Sequence, residues 1–273
     1  MITIDGRVSS IRSNGYIDRA TSNLTSFYLS TAFVNENNSL RLNVFSGKEK
    51  TYQAWYGVAE NLLVTNRTNN PAGTEKTGEP YDNETDNYTQ THYQFFYNHR
   101  FNPNWKGNVA VFLTRGKGYY EQYKADAELA GYGLPDYVNG NNTITKTGLV
   151  RRLWLDNYLY GSIFSLQYQK NKTQMIFGGG YNAYEGKHYG EIKWAAVQAA
   201  VPKNYRWYDL TAYKKDFSVY NKWSQQWSPN WQSFIDVQFR NINYRIHGFR
   251  DNPTLQINEN YAFLNPKIGF YNS

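Results

Sequence analysis

The chain has 273 residues, no cysteine, a formal charge of 29 − 22 = +7, and an aromatic share of 18% within a hydrophobic share of only 40%. Its 26 Tyr, 15 Phe and 8 Trp exclude a disordered chain, because disordered chains are poor in aromatics. No apolar run reaches the roughly 18–20 residues of a spanning helix, and without cysteine there is no disulfide frame, thiolate metal site or cysteine nucleophile. After Met1 comes Ile-Thr-Ile-Asp-Gly, with neither a basic n-region nor an apolar h-region, so the first residues do not read as a signal peptide.

A period of two runs through the sequence, the signature of strands. A first strand is expected at Ile2–Ser9. From Thr25, the residues Phe27, Leu29, Thr31 and Phe33 alternate with small or polar ones. A polar turn at Asn35–Ser39 follows, then Leu40, Leu42 and Val44 against Arg41 and Asn43. The pattern recurs with Tyr93, Phe95 and Tyr97, a turn at Phe101-Asn-Pro-Asn-Trp105, then Val109, Val111 and Leu113. A third hairpin joins Tyr160–Tyr168 to Met175–Tyr181 through a turn near Asn171. A fourth runs through Phe217 and Val219, turns at Trp227-Ser-Pro-Asn-Trp231, and returns through Ile235, Val237 and Phe239 against Asp236, Gln238 and Arg240. With a last strand near Phe263–Tyr271, the count is about ten strands.

Short turns alternate with long excursions, expected at Ser46–Tyr88, Gly116–Leu149, Asn182–Lys215 and Ile246–Tyr261. Structureless loops beyond ~15 residues are uncommon in compact soluble domains. Long loops on one side of a meander, short turns on the other, and apolar/polar alternation match an all-β, transmembrane, antiparallel up-and-down β-barrel segment. Trp105, Trp227, Trp231, Phe101 and Tyr168 fall at the turn ends, where amphipathic rings settle at a lipid–water boundary. The competing readings are a soluble or surface-attached β-sandwich or propeller with an aromatic sugar-binding face, and a passive porin-like channel that shares the barrel but has no plug. Arg41, Asn43, Asp236, Gln238 and Arg240 share a strand face that a sandwich would need to bury, whereas a watery lumen accepts them.

Several stretches carry a family resemblance. They include Gly15-Tyr-Ile-Asp-Arg-Ala20, Ser46-Gly-Lys-Glu-Lys-Thr-Tyr-Gln-Ala-Trp55, Tyr81–Tyr88, Thr114–Glu121, Leu149–Asp156, Gly178–Glu191, Asp236-Val-Gln-Phe-Arg240 and Phe263–Gly269. In this order they cover nearly the whole chain, and they resemble the barrel of a TonB-dependent outer-membrane receptor. The resemblance implies a plug domain, a barrel of about 22 strands, and an energy-coupling TonB complex reached through the N-terminal part. Residues 1–273 are therefore expected to be one partial barrel domain of the Gram-negative outer membrane, an internal segment without signal peptide or plug, with Met1 an artefact. The implied partners are the plug and remaining barrel strands, outer-membrane lipid and lipopolysaccharide, and a scarce bulky nutrient such as a ferric chelate, haem or a corrinoid.

The site residues follow from composition. Tyr52, Trp55, Tyr56, Tyr119, Tyr120, Trp194 and Trp207 lie in the expected loops, where Tyr and Trp make rigid contact surface at low entropy cost. Arg151 and Arg152 sit near a strand top, placed for an anionic ligand or for lipid phosphates. Arg41, Asn43, Asp236, Gln238 and Arg240 are the expected lumen residues. No enzyme constellation, cofactor motif or resident metal is expected. His188-Tyr-Gly-Glu191 and Asp82–Asp86 offer donors, but the second lacks the glycine and distal Glu of a calcium loop. Basic residues form no stripe or arm, so nucleic acid is not an expected partner.

Overall fold

The computed structural model describes residues 1–272, with Ser273 outside the described part. Ten strands form one antiparallel sheet: β1 (Ile2–Ser13), β2 (Ser22–Val34), β3 (Asn38–Tyr52), β4 (Thr85–Asn102), β5 (Trp105–Glu128), β8 (Lys146–Lys170), β9 (Thr173–Ala195), β10 (Arg206–Gln226), β11 (Trp231–Phe249) and β12 (Asn252–Asn272). A small separate hairpin, β6 (Tyr137–Asn139) and β7 (Asn142–Ile144), rises between β5 and β8. Each strand pairs with its neighbours in chain order, and β1 and β12 are the edges.

Polar side chains at the corners set the short turns. The Asn35 carboxamide oxygen accepts from the backbone N–H of Asn37 (3.0 Å) and Asn38 (2.7 Å), and Asn102 does the same for Asn104 (2.9 Å) and Trp105 (3.0 Å). Ser228 Oγ closes the turn into β11 by accepting from Asn230 and Trp231, and Asn171 turns the β8–β9 corner at φ +51°. Such side chains mimic a backbone turn, which is why Asn and Ser sit there.

The cross-strand register carries the alternation across the sheet. One transverse row reads Leu40, Tyr97, Val109, Phe164, Gly179, Val219 and Phe239, and the next reads Leu42, Phe95, Val111, Ser162, Tyr181, Phe217 and Asn241. The apolar side chains of these rows stand in the open: Leu42, Val111 and Phe239 are each at least 40% exposed. A contiguous exposed apolar face of this size marks a membrane or protein surface. The opposite face is polar and internally bonded, with Ser30 Oγ donating to Asn43 Oδ1 (2.8 Å), Asn43 Nδ2 to Gln94 Oε1 (3.3 Å), and Arg240 holding Asp216 in a two-pronged ion pair (3.0 and 2.5 Å).

The strands outrun the sequence expectation at the loop end. A bilayer needs only about 9–11 tilted strand residues, whereas β5, β8 and β9 have 24, 25 and 23. The expected excursion at Ser46–Tyr88 shrinks to residues 53–84, that at Gly116–Leu149 to 129–145, and that at Asn182–Lys215 to 196–205. Most changed is Ile246–Tyr261, which is no loop: β11 and β12 meet at the turn Arg250-Asp251. Beyond the lipid both faces of a strand meet water or loops, so the apolar/polar alternation fades while the backbone ladder continues.

The packed core lies in this loop region rather than between sheet layers. Leu129, Tyr132, Leu134, Leu149, Ile192, Ala195 and Ala200 bury one another beneath the β6–β7 hairpin, with Tyr205 and Trp207 against them. Gly190 makes room for this cap, because a Cβ there would meet the Trp207 ring at 2.4 Å.

Candidate ligand-binding site

The residues of the polar face change character above the lipid band. In the rows of Asn182 and, above it, Asn157 they include amides; Ile246 stands level with Asn157, and further up the same face stand Tyr120, Leu153, Leu155, His188, Tyr208 and Leu210. Together with Arg250 at the β11–β12 turn they line a cavity of about 600 Å³. This volume lies within the range of about 300–1,000 Å³ usual for small-molecule sites. Gly248 shapes its rim: at φ +85°, its position has no space for a Cβ, which would meet Pro253 O at 2.5 Å.

The cavity floor is apolar and its polar groups are few. Burial pushes the Tyr208 hydroxyl up to about 12 and raises Tyr120 as well, so both remain neutral donors at physiological pH. Burial lowers His188, leaving its ring neutral at pH 7. Arg250 is paired to Asp251 (2.9 and 3.2 Å), but that aspartate side chain is 83% exposed. Water screens such an exposed pair and leaves it weak, so an anion arriving at the rim can take over the guanidinium. The arrangement suits a bulky ligand with an apolar or aromatic body, hydrogen-bond acceptors and negative charge.

The sequence-derived candidates divide by face. Trp55, Tyr56 and Tyr120 come together, Trp55 lying edge-on to Tyr120 with ring centroids 6.2 Å apart. Arg151 shares the polar face, yet its guanidinium is occupied, donating to Gln122 Oε1 (2.8 and 3.2 Å) and to the Tyr132 hydroxyl (3.0 Å). Gln122 in turn donates to Gln53, so Arg151 ties loop 53–84 to the cap. Tyr52 is buried, donating to Tyr81 O (2.7 Å) beside Arg19, which also bonds the Asn70 and Ala72 carbonyls.

Tyr119, Arg152 and Trp194 are on the other face. Arg152 pairs with Glu121 (2.5 Å) and stacks over Tyr119 at 4.2 Å, while Trp194 stacks on Tyr123. Trp207 packs edge-on to Tyr132 and Tyr208, at the cap above the cavity. Arg41, Asn43, Asp236, Gln238 and Arg240 stand on the polar face, below the cavity. Among the described residues no group of three or more His, Asp or Glu side chains converges as a metal site.

Residue reading overlooked Arg250 and the apolar floor of Leu153, Leu155, Leu210 and Ile246. The floor residues gave one usable signal: large aliphatics on the parity that is polar lower down. Arg250 gives none, since its place depends on a tight turn within a stretch whose residue pattern predicts a long loop.

A sheet with one apolar and one polar face, short turns at one end and a cavity between loops at the other is a segment of a transmembrane β-barrel. No protein-family model matches the sequence, and no curated protein matches it either. Solved structures do match in fold. Ferric citrate transporter FecA superposes with TM-score 0.64 at 11% identity over 99% of this chain and 37% of its own. The ferripyoverdine receptor of the outer membrane of Pseudomonas aeruginosa gives 0.62 at 10% identity over 98% and 36%, and the ferric-catecholate import receptor Fiu from E. coli K12 gives 0.56 at 11% over 98% and 43%. The chain has the fold of a barrel segment of TonB-dependent receptors. It spans between 35% and 47% of the length of the solved receptors it matches.

Proposed function

We propose that this chain is a partial barrel domain of a TonB-dependent outer-membrane receptor, and that the cavity between its loops binds a bulky anionic nutrient, foremost a ferric chelate, with haem or a corrinoid as the other classes. The observation that carries this reading is the cavity itself. It opens on the polar face at the loop end, floored by Leu153, Leu155, Leu210 and Ile246, with Tyr120 and Tyr208 as neutral donors and Arg250 at the rim. The solved proteins of this fold are import receptors rather than enzymes, and a binding site without a covalent step agrees with them.

The mechanism is selective binding followed by release into the lumen. The apolar floor excludes water around the ligand body, and the hydroxyls and Arg250 fix its acceptors. Passage inward runs along the polar face past Arg240, Gln238, Asp236, Asn43 and Arg41. Energy comes from the TonB complex acting on a plug. The edges β1 and β12 support the need for further strands, because lipid leaves no water to satisfy an unpaired backbone N–H or C=O.

The test is binding of a panel of ferric hydroxamate, catecholate and carboxylate chelates, haem and a corrinoid to the intact protein in detergent. Intrinsic tryptophan quenching is the readout. Saturable binding of one class, weakened at least tenfold by Tyr120→Ala or Tyr208→Ala, is expected. No saturable binding of any of them, or detergent-free solubility with binding of neutral glycans, overturns the reading.

A further inference from the structure

Seven aromatic rings already carry a cation of the chain over their faces, among them Tyr52 under Arg19, Tyr119 under Arg152 and Tyr189 under Arg206. Trp55, Tyr56 and Tyr120 carry none among the described residues. Trp55 stands at 89° to Tyr120 with ring centroids 6.2 Å apart, and Tyr56 is tilted 53° from Trp55 at 6.3 Å. The three rings make a corner rather than a stack, and Trp55 and Tyr56 are open to solvent. Such a corner turns several electron-rich ring faces toward one point, where a cation is attracted to all of them.

The register puts two carboxylates beside this corner. Asp86 of β4 is the direct cross-strand partner of Tyr120 on β5, which places their Cβ atoms about 4.5–5.5 Å apart. Glu49 of β3 is diagonal to Asp86, because Thr51, two residues further on, is Asp86's partner. Both carboxylates are half-buried, and neither has an ion-pair partner among the described residues. The side chains next to them in register are Leu24, Thr51, Tyr88 and Tyr120, none of them charged at neutral pH. Lower on the same face the chain does neutralise a carboxylate, Asp216 held by Arg240. A withdrawn carboxylate without a counter-ion is costly. Burial raises both carboxyls, and the charge of Asp86 raises Glu49 further.

Tyr120 belongs to the corner and to the ligand cavity alike, and the opposite side of that cavity carries Arg250. The wall therefore offers carboxylates at β3–β4 and a guanidinium at the β11–β12 turn. β4 and β11 are five strand steps apart, about 24 Å along the sheet.

We propose that the corner of Trp55, Tyr56 and Tyr120, with Asp86 and Glu49 beside it, is a subsite for an alkylammonium group, so that the nutrient is a chelate bearing a free amine apart from its anionic groups. The identity of the nutrient rests on the chelate reading above; the ammonium subsite does not.

The test has two arms, both on the intact protein in neutral detergent at fixed ionic strength with tryptophan fluorescence as readout. In the first, butylammonium is titrated beside its uncharged counterpart butan-1-ol. Butylammonium is expected to bind at least tenfold tighter, Trp55→Phe to remove the response, and Asp86→Asn with Glu49→Gln to bring the two compounds within twofold. In the second, a linear ferric trihydroxamate with a free terminal amine is compared with its N-acetylated form. The free amine is expected to bind at least tenfold tighter in the parent and no tighter in the double variant. Equal binding of butylammonium and butan-1-ol, or a preference that survives the double variant, overturns the subsite. A butylammonium preference without any preference between the two bound chelates overturns the amine-bearing nutrient. A butylammonium preference in a protein that binds no chelate upholds the subsite and counts against the chelate reading instead. Should the double variant lack heat-modifiable mobility, Asp86→Asn alone decides, and an undiminished preference there overturns the subsite.

Discussion

Arg151, Arg152 and Arg250 show how little residue type says about role. The first two are adjacent in sequence and point to opposite faces, and each is used up: Arg151 by Gln122 and Tyr132, Arg152 by Glu121. Arg250, unremarkable in sequence, has only an exposed aspartate to hold it and stands at the cavity rim. Arg250→Ala is therefore expected to cut affinity for an anionic chelate at least tenfold, about 1.4 kcal/mol, and to leave uncharged ligands unaffected. Arg152→Ala is expected to lower thermal stability instead, because Glu121 is left with its side chain 3% exposed and without its cation. Titration of both variants by tryptophan quenching, beside a thermal melt, separates the two outcomes.

Glu84 gives a pH prediction at the same scale. Its carboxyl is buried in loop 53–84, and burial pushes it above the ordinary value of 4.5, against the pull of the Tyr123 backbone N–H and Lys124. A carboxyl raised in the folded state favours the folded loop most below its unfolded value, and that contribution is lost as pH rises through the folded value. Loop 53–84 is thus expected to exchange backbone hydrogens more slowly, after correction for intrinsic rates, at pH 4 than at pH 7. Glu84→Gln is expected to remove much of the difference, and an unchanged difference in that variant counts against the assignment.

At the scale of the element, strand parity is the quantity with the largest energetic consequence. Val111 and Gln94 are near neighbours in the sheet, yet one lies on the apolar face and the other on the polar face. Val111→Arg puts a charge toward lipid and is expected to cost about 2–4 kcal/mol, read as a lower midpoint of urea unfolding in lipid vesicles. Gln94→Arg is expected to shift that midpoint by less than about 1 kcal/mol, within the range of surface substitutions. Equal costs at the two positions would mean that the faces are assigned wrongly. The same parity explains the long strands: the turn chemistry of Asn35, Asn102 and Ser228 sets where each hairpin begins, but nothing in lipid stops the ladder at the upper end.

For the whole molecule, topology is directly measurable because the chain lacks cysteine. Thr77→Cys in the long loop is expected to react with a membrane-impermeant maleimide on intact cells. Glu36→Cys and Ser228→Cys, in the short turns, are expected to react only after the outer membrane is permeabilised. The reverse labelling would invert the chain in the membrane and place the cavity on the wrong side for capture from outside.

Much of this architecture was legible in residue order alone. Alternation of Phe27, Leu29 and Phe33 with smaller partners needs only the two-residue period of a strand, and the Asn- and Ser-centred turns are local hydrogen-bond chemistry. These features depend on residues a few positions apart, so sequence by itself determined the strands, their short turns, the two faces and the barrel class. The cavity depends on Tyr120, Leu153, His188 and Tyr208 meeting across four strands, with Arg250 reaching them from the β11–β12 turn, and the row of Lys48, Lys117 and Lys187 forms on the opposite face in the same way. Only the register of the hydrogen-bonded ladder sets those meetings. Tertiary structure decided them because a shift of one residue in any strand sends its side chains to the opposite face.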